Sequence, residues 1–183
     1  MKGKRGIPRY RKVVKSKGKY RSNFEKSVAD VFREYKIDFQ YEHRTFDYLV
    51  QSRNWVVCDT CGPIKGYIVR KYLVDFELKN EIFIETKGRL TDKDRSKLLS
   101  VKKHHPELDL RLVFQRDNLI KSRAARDNNI RYSEWATKNG FPNTVGEIPE
   151  QWIKEAKSRK GTAKPTIDGF KALGDYPDGD AKS

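Results

Sequence analysis

The spacing of apolar residues near the middle of the chain predicts two short strands, 72–78 and 82–87, joined by a tight turn centred on Asn80. Apolar and polar residues alternate from Val74 to Leu78 in the first strand, whereas the second opens on three apolar residues in a row. Because side chains alternate between the two faces of a strand, one face of this hairpin is expected to be apolar. The predicted members of that face are Tyr72, Val74, Phe76, Leu78, Ile82 and Ile84.

Three charged residues fall on the opposite face of the same predicted hairpin. With the turn centred on Asn80, Asp75 lies directly opposite Glu85, and a period of two places Lys87 beside them. Cross-strand neighbours have Cβ atoms about 5 Å apart. Two carboxylates at that distance suit a divalent metal ion such as Mg²⁺, which prefers oxygen ligands. The alternative is a solvated cluster in which Lys87 neutralises the pair, and the hairpin alone does not decide between them.

The periodicity of the remaining chain predicts helices that alternate with strands. The second strand of the hairpin, the helix that follows and the next strand form a unit that implies a right-handed crossover and parallel pairing. The fold class is therefore α/β. The predicted helices cover 23–36, 92–104, 133–139 and 148–153. The further strands cover 39–48, with a bulge or break near Arg44, and 108–114. Leu98, Leu99 and Val101 are expected to form the inner face of the second helix.

Glu25 lies in the first turn of the first predicted helix, three residues after Ser22. Serine is a favoured N-cap, and a glutamate at this spacing completes a capping box. The capping box is a sufficient structural explanation for Glu25. A metal-ligating role is the alternative, and a residue at a helix N-terminus can serve in both roles.

Residues 49–71 contain the run Cys58-Asp-Thr-Cys61-Gly62 between two apolar stretches, which indicates a hairpin with both cysteines at its tip. The C-x-x-C-G pattern resembles half of a zinc knuckle, but tetrahedral zinc needs four ligands. A zinc site here would therefore need a second pair of ligands across a dimer axis. We favour two reduced cysteines, because a chain with only two cysteines has no disulfide framework and suits a reducing compartment.

The charge of the chain indicates a polyanionic partner. The 40 Lys and Arg residues against 25 Asp and Glu give a formal net charge of +15, and an excess of this size favours nucleic acid. No run approaches the ~20 apolar residues of a membrane span, and no apolar segment follows the basic N-terminus as it does in a signal peptide. We therefore expect a cytoplasmic protein with neither a membrane partner nor a small-molecule substrate.

The positive charge is concentrated at the N-terminus. Residues 1–21 hold ten basic residues and no acid, and their glycines and proline argue against a regular element. We interpret this segment as a flexible arm that contacts phosphates; the alternative is a solvating tail. The expected DNA-binding residues are Arg5, Arg9, Arg11, Lys12, Lys15, Lys17, Lys19 and Arg21. The folded domain then covers 22–156, and residues 157–183, which have few apolar side chains, are expected to be disordered.

The order of these features resembles the PD-(D/E)xK nuclease superfamily and, more closely, the bacteriophage endonuclease I family of Holliday junction resolvases. The superfamily pattern is Glu25 on the first helix, Asp75 on one strand and Glu85-x-Lys87 at the end of the next. The segments that carry the closer resemblance are Tyr20–Glu25, Asp75-Phe76, Ile82–Gly88, Asp94-Arg95, His105–Phe114 and Ile148–Glu155. Together they span about residues 20–156, the whole predicted domain.

The resemblance implies a mixed central sheet flanked by helices and an intertwined, segment-swapped homodimer. It implies that Asp75, Glu85 and the main-chain carbonyl of Thr86 bind a first Mg²⁺ or Mn²⁺ ion. Glu25 would contribute to a second metal position, in the site of the partner subunit. Lys87 would orient or activate the attacking water and steady the scissile phosphate. Glu25, Asp75, Glu85 and Lys87 are thus the candidate catalytic residues.

The activity implied by the resemblance is that of an endodeoxyribonuclease that resolves four-way (Holliday) and other branched DNA junctions. Paired nicks would leave 5′-phosphate and 3′-hydroxyl ends, and a phage protein would act in the cytoplasm of its host. The alternatives are a PD-(D/E)xK nuclease of the restriction or repair type, which acts on unbranched duplex DNA, and a non-catalytic nucleic-acid-binding module. The sequence departs from the family pattern at Val74, where the superfamily often has proline, in the length of 49–71, and after residue 156.

Overall fold

The computed structural model describes residues 20–60, 62–79, 81–120 and 130–158. Residues 1–19 of the predicted arm, Cys61 and the predicted tail from residue 159 onward lie outside these ranges. The elements follow one another as α1 (Asn23–Glu34), β1 (Phe39–Tyr41), β2 (Thr45–Cys58), β3 (Gly62–Leu73), β4 (Phe76–Leu78), β5 (Ile82–Lys87), α2 (Asp92–His104), β6 (Asp109–Phe114), α3 (Tyr132–Lys138), β7 (Asn143–Val145) and α4 (Glu150–Ser158).

The central element is a five-stranded sheet with the strand order β1-β4-β5-β6-β7. Strand β4 pairs antiparallel with β1 and β5, whereas β6 pairs parallel with β5 and β7. The parallel pair β5 and β6 is connected through α2, as the strand, helix and strand pattern predicts. The α/β class with a mixed sheet flanked by helices is therefore confirmed.

Helices cover both faces of this sheet because its two middle strands are apolar on both sides. Residues 82–86 of β5 and 110–114 of β6 are all buried. On one face, α1 and α4 pack against the sheet through residues that include Val28, Phe32, Ile153, Phe76, Leu78, Ile82 and Ile84. On the other face, α2 and α3 pack against it through residues that include Leu98, Val101, Trp135, Phe83, Leu110, Leu112 and Phe114. The strand β5 thus runs through the middle of the core.

The register of the predicted hairpin is confirmed. Glu77 pairs with Phe83 and Leu78 pairs with Ile82, as expected for a turn centred on Asn80. The tight turn itself includes a hydrogen bond of 3.1 Å from the main-chain N–H of residue 81 to the carbonyl oxygen of Leu78. The position of Asp75 relative to β5 therefore follows from the sequence.

The prediction of one continuous strand over 72–78 is wrong, because β3 ends before Val74 and β4 begins at Phe76. The alternation of side chains restarts at this break. Tyr72 and Val74 pack in the core cluster of α2 and α3, whereas Phe76 packs in the cluster of α1 and α4. The six apolar residues expected on a single face are thus divided between the two faces of the sheet.

Strands β2 and β3 form a separate two-stranded antiparallel hairpin that includes the predicted hairpin of residues 49–71. Cys58 pairs with Gly62, so this cysteine lies at the tip of the hairpin as predicted. The alternative of a zinc site stays a prediction, because Cys61 lies outside the described residues. At the base of the hairpin, the Ser100 hydroxyl of α2 donates to the carbonyl oxygen of Leu49 at 2.6 Å. Farther out, the exposed apolar side chains in the described part of the hairpin include Val50, Trp55, Val57, Tyr67, Ile68 and Val69.

The helices agree with the predicted ones except in details. The strand break near Arg44 is confirmed, since β1 ends and β2 begins on either side of it, and α2 has the predicted bounds. Leu99 does not join the inner face of α2, because 41% of it is exposed whereas Leu98 and Val101 are fully buried. Helix α4 continues through Ser158, two residues into the predicted tail. Within the described residues, no helix has the length and apolar character needed to cross a membrane.

Candidate active site

The charged residues of the predicted hairpin meet where β4 begins and β5 ends. The pairing of β5 with β6 continues through Lys87, whereas its pairing with β4 stops at Ile84. Continuing the β4 register by one residue sets Asp75 opposite Glu85. The last residues of β5 are therefore held firmly from the side of β6 and face Asp75 on the other side.

The Asp75 carboxylate binds the edge of β5 that β4 leaves open. Its Oδ2 atom accepts a hydrogen bond of 2.7 Å from the main-chain N–H of Thr86 and one of 2.6 Å from the Thr86 hydroxyl. The Asp75 side chain thus replaces the main-chain acceptor that a longer β4 would offer to the Thr86 N–H. Because both donors belong to a buried strand, they fix the position of the carboxylate.

Glu85 is the most deeply buried charged residue of the site, with 2% of its surface exposed. Its Oε2 atom accepts a hydrogen bond of 2.7 Å from the Tyr72 hydroxyl, and its Oε1 atom accepts one of 2.5 Å from the Lys87 ammonium group. A buried charge is costly unless it is paired and hydrogen-bonded. Here each carboxylate oxygen has its own donor, one neutral and one positively charged.

Lys87 also lies close to α2, where its Nζ atom is 3.8 Å from Oδ1 of Asp94. The other oxygen of Asp94 accepts the hydrogen bonds of the capping box with Thr91, which fixes this carboxylate at the start of the helix. Burial alone lowers the pKa of Lys87, but the negative charges of Glu85, Asp75 and Asp94 offset burial and raise the pKa above its ordinary value. Lys87 is therefore a fixed positive charge.

The two carboxylates repel each other in this buried setting. Burial, followed by the negative charge of Glu85, raises the pKa of Asp75 to about 7, against the opposing effects of the Thr86 hydrogen bonds and Lys87. A cation placed beside Asp75 and Glu85 would remove this repulsion. The electrostatics of the site thus favour the binding of a positive ion.

The donor set fits a magnesium-like ion. In the part of the chain that the structure describes, no three His, Cys, Asp or Glu side chains come close enough together to hold a metal ion. A single chain therefore offers a pair of carboxylates and nearby main-chain carbonyls. Mg²⁺ is often bound by one or two carboxylates, with water and substrate phosphate in its remaining positions. This open arrangement suits a substrate-binding metal better than a structural one.

Glu25 is not grouped with Asp75 and Glu85 within the chain. Its Oε1 atom accepts a hydrogen bond of 2.9 Å from the Ser22 hydroxyl, and its Oε2 atom accepts bonds from the Arg21 main-chain N–H at 2.9 Å and the Tyr41 hydroxyl at 2.5 Å. The Glu25 N–H donates to Ser22 Oγ at 3.1 Å. The predicted N-cap Ser22 is therefore confirmed, but the predicted capping box is incomplete, because the Glu25 carboxylate accepts from the main-chain N–H of Arg21 and not from that of Ser22. The metal-ligating role of Glu25 stays a prediction.

Arg21 is the one predicted DNA-binding residue within the described ranges. Its side chain is 67% exposed, and its Nε atom lies 2.6 Å from Oε1 of Glu42. Because two thirds of the Arg21 side chain is exposed, its guanidinium group is accessible for a phosphate contact. The other predicted members of the arm lie outside the described residues.

Three side chains of the site were missed by the sequence analysis. The Tyr72 hydroxyl had no signal, because simple alternation placed this residue on the face away from Glu85. Thr86 was assigned only through its main-chain carbonyl, although its hydroxyl binds Asp75. Asp94 was part of a matching segment with no assigned role. The Thr91-x-x-Asp94 capping spacing directly after β5 is the signal that locates Asp94 at the site.

Comparisons with known proteins agree on one family. The family model described as phage endonuclease I matches residues 7–167. Endonuclease I of Escherichia phage T7 is 32% identical over 146 residues, which cover 80% of this chain and 86% of the relative. Endodeoxyribonuclease 1 of Enterobacteria phage T3 is 33% identical over 138 residues, which cover 75% of this chain and 79% of the relative. The matches include all of the residues assembled at the end of β5.

Proposed function

The chain belongs to the phage endonuclease I family, and we propose that it is a divalent-metal-dependent endodeoxyribonuclease that resolves four-way and other branched DNA junctions. The observation that carries the proposal is the arrangement of Asp75, Glu85 and Lys87 where β4 begins and β5 ends. With Glu25 on the first helix, the same order of residues supports assignment of the sheet to the PD-(D/E)xK superfamily. The net charge of +15 supports a DNA substrate.

Asp75, Glu85 and the main-chain carbonyl of Thr86 would hold the first Mg²⁺ or Mn²⁺ ion, and Glu25 would contribute to a second. The bound metal supplies charge neutralisation at the phosphate and a lower pKa for the attacking water. The chain contributes rigidity: the Thr86 donors hold Asp75, while Tyr72 and Lys87 hold Glu85. The repulsion between the two carboxylates is the physical reason that they would bind such an ion.

Lys87 supplies a positive charge at the reacting phosphate. Its ammonium group lies between the carboxylates of Glu85 and Asp94 and has a raised pKa, so it stays protonated at neutral pH. A fixed cation at the position where negative charge develops stabilises the transition state without reorganisation. In this proposal Lys87 also orients the water that attacks the phosphorus atom, and the products carry 5′-phosphate and 3′-hydroxyl ends.

The proposal includes a homodimer in which Glu25 completes the site of the other subunit. Within one chain, Glu25 is bound by Ser22, Arg21 and Tyr41, and it joins no cluster of acidic residues in the described part of the chain. A third carboxylate at the Asp75 and Glu85 pair would therefore come from elsewhere. Two such composite sites would place one reaction centre at each of two opposed strands of a junction.

A cleavage assay tests the proposal directly. The protein is incubated with an immobile four-way junction and with a matched unbranched duplex, each with Mg²⁺ and with EDTA. We expect paired nicks in the junction that depend on Mg²⁺, and we expect the duplex to compete poorly. Equal cleavage of the duplex would instead identify a duplex nuclease of the restriction or repair type. Absence of cleavage on every substrate would leave a non-catalytic binding module.

The Glu85→Lys variant separates binding from cleavage in the same assay. The introduced ammonium group would lie near the metal position and exclude the ion, while the DNA-binding surface of the arm is unchanged. We expect the variant to retain junction binding in a gel-shift assay and to lose cleavage. Full cleavage by this variant would contradict the assignment of the site.

Mixed dimers test the origin of Glu25. Glu25→Gln and Glu85→Lys subunits are coexpressed with different affinity tags, so that the heterodimer is purified away from both inactive homodimers. If Glu25 acts in the partner subunit, one site of the heterodimer has every wild-type residue and nicks one strand. If Glu25 acts within its own chain, both sites carry a substitution and no strand is nicked.

A further inference from the structure

A buried tyrosine is hydrogen-bonded to the Glu85 carboxylate. Tyr72, the penultimate residue of β3, is 1% exposed, and its hydroxyl donates a hydrogen bond of 2.7 Å to Oε2 of Glu85. Its ring lies under the ammonium group of Lys97, with Nζ at 5.1 Å from the ring centroid. Since the ring is packed in the core cluster of α2 and α3, the position of the hydroxyl is fixed.

The hydrogen bond from Tyr72 and the one from Lys87 have different geometric consequences. Lys87 reaches Oε1 of Glu85 from two residues away on the same strand, through a long side chain with several rotatable bonds. Tyr72 reaches Oε2 from another strand through a rigid ring. One donor on each oxygen defines the plane of the carboxylate, and with Glu85 2% exposed, water has little access to replace either donor.

The Tyr72 hydroxyl is the donor in this hydrogen bond, because an ionised carboxylate accepts hydrogen bonds and donates none. Hydrogen-bonding groups that orient a metal-binding side chain have measurable consequences, because their removal lowers metal affinity or activity by about 10-fold to 100-fold.

We propose that Tyr72 is a positioning residue that holds the Glu85 carboxylate in its metal-binding orientation. The inference rests on the proposed function, in which Glu85 is a metal ligand. It adds a residue of β3 to the catalytic machinery, which otherwise comes from α1 and from the β4 and β5 hairpin. The break between β3 and β4 gives this geometry, because it brings Tyr72 to the side of the sheet on which Glu85 lies.

The test uses Tyr72→Phe, which keeps the buried ring and removes only the hydroxyl. Isothermal titration of the DNA-free protein with Mn²⁺ measures metal affinity independently of cleavage. We expect affinity to fall about 10-fold or more, kcat at limiting metal to fall with it, and KM for the junction to stay unchanged. The matched control is Tyr48→Phe, a buried tyrosine of the same core cluster on β2, which should retain wild-type metal affinity.

A second variant distinguishes action through Glu85 from a general loss of packing. If Tyr72 acts through Glu85, Tyr72→Phe should have no further effect on Mn²⁺ affinity when Glu85→Gln is already present. Thermal unfolding of the metal-free proteins measures the purely structural effect. A lowered melting temperature with unchanged Mn²⁺ affinity would overturn the proposal, and so would equal effects in both backgrounds. A wild-type protein that cleaves no junction would instead overturn the proposed function.

Discussion

The Thr86 hydroxyl and main-chain N–H both donate to the same oxygen of Asp75, at 2.6 Å and 2.7 Å. This pair of hydrogen bonds replaces strand pairing at the point where β4 leaves β5. The threonine of the Glu85-Thr86-Lys87 run therefore has a structural role of its own, in addition to the expected role of its carbonyl group. The geometry of the site depends on it.

We expect Thr86→Val to loosen Asp75. The substitution keeps the shape and the main-chain donor but removes the hydroxyl donor from a largely buried carboxylate. Loss of such a bond to a charged group costs about 1–3 kcal/mol, so the free energy of unfolding should fall by that amount at pH 8. Urea denaturation followed by circular dichroism measures it. Thr86→Ser, which keeps the hydroxyl, is the control, and equal losses in both variants would contradict the role of this bond.

The raised pKa of Asp75 predicts how the stability of the metal-free protein depends on pH. The pKa is about 7 in the folded state against an ordinary value of 3.8, so the folded state binds the proton more tightly. The corresponding stabilisation is complete below about pH 4 and is lost as the pH rises to about 7. Ionised Asp75 therefore costs the folded protein about 4 kcal/mol at pH 8.

Asp75→Asn should remove this cost, since the amide oxygen still accepts the Thr86 hydrogen bonds and carries no charge. In EDTA we expect the variant to be more stable than the wild type at pH 8 and to lose this advantage as the pH falls towards 4. Mg²⁺ should stabilise the wild type alone. Urea denaturation at several pH values measures both effects. Asp30→Asn, on an exposed side chain, is the control, and a variant less stable than the wild type at pH 8 would count against the raised pKa.

The sequence predicted the central part of this site because local rules determine it. The short connection between β4 and β5 sets the register, and the register sets Asp75 opposite Glu85. The N-cap Ser22 also follows from short-range spacing. These features depend on neighbours in the chain and require no knowledge of the tertiary fold.

What the sequence could not predict depends on contacts between distant elements. Tyr72 was expected on the wrong face because the break at Val74 has no local signal such as proline or glycine. Leu99 has the spacing of a core residue, but α2 packs on Leu98 and Val101. The short strand β7 was not predicted, since its three residues are a strand only through pairing with β6. Tertiary packing decided each of these outcomes.

We expect Arg111→Met to be strongly destabilising, because this guanidinium group joins the sheet to α4. Arg111 is 5% exposed, binds Asp109 at 2.7 Å and 2.8 Å and Glu155 at 2.7 Å, and stacks on Trp152. The Asp109 and Glu155 side chains left behind are 21% and 33% exposed and so partly solvated. We therefore expect the loss of these hydrogen bonds to charged groups to cost about 1.5–3 kcal/mol, and urea denaturation measures it.

The control for Arg111 is Lys154→Met, in a pair with Glu150 whose side chains are 72% and 66% exposed. An exposed pair of this kind contributes less than about 1 kcal/mol. Similar losses in both variants would show that α4 is not fixed by the buried cluster. Because both substitutions introduce the same side chain, the comparison separates burial of the charge from the change in residue type.

Deletion of residues 2–19 tests the predicted phosphate-binding arm. This segment has nine Lys and Arg residues and no acid, and each phosphate contact contributes about 0.9 to the slope of log affinity against log salt concentration. We therefore expect weaker junction binding and a flatter salt dependence, both measured by fluorescence anisotropy. Deletion of residues 160–183 is the matched control, because the charges of their four Lys and four Asp residues cancel. Deleting them should leave the slope unchanged, and an unchanged slope without the arm would identify it as a solvating tail.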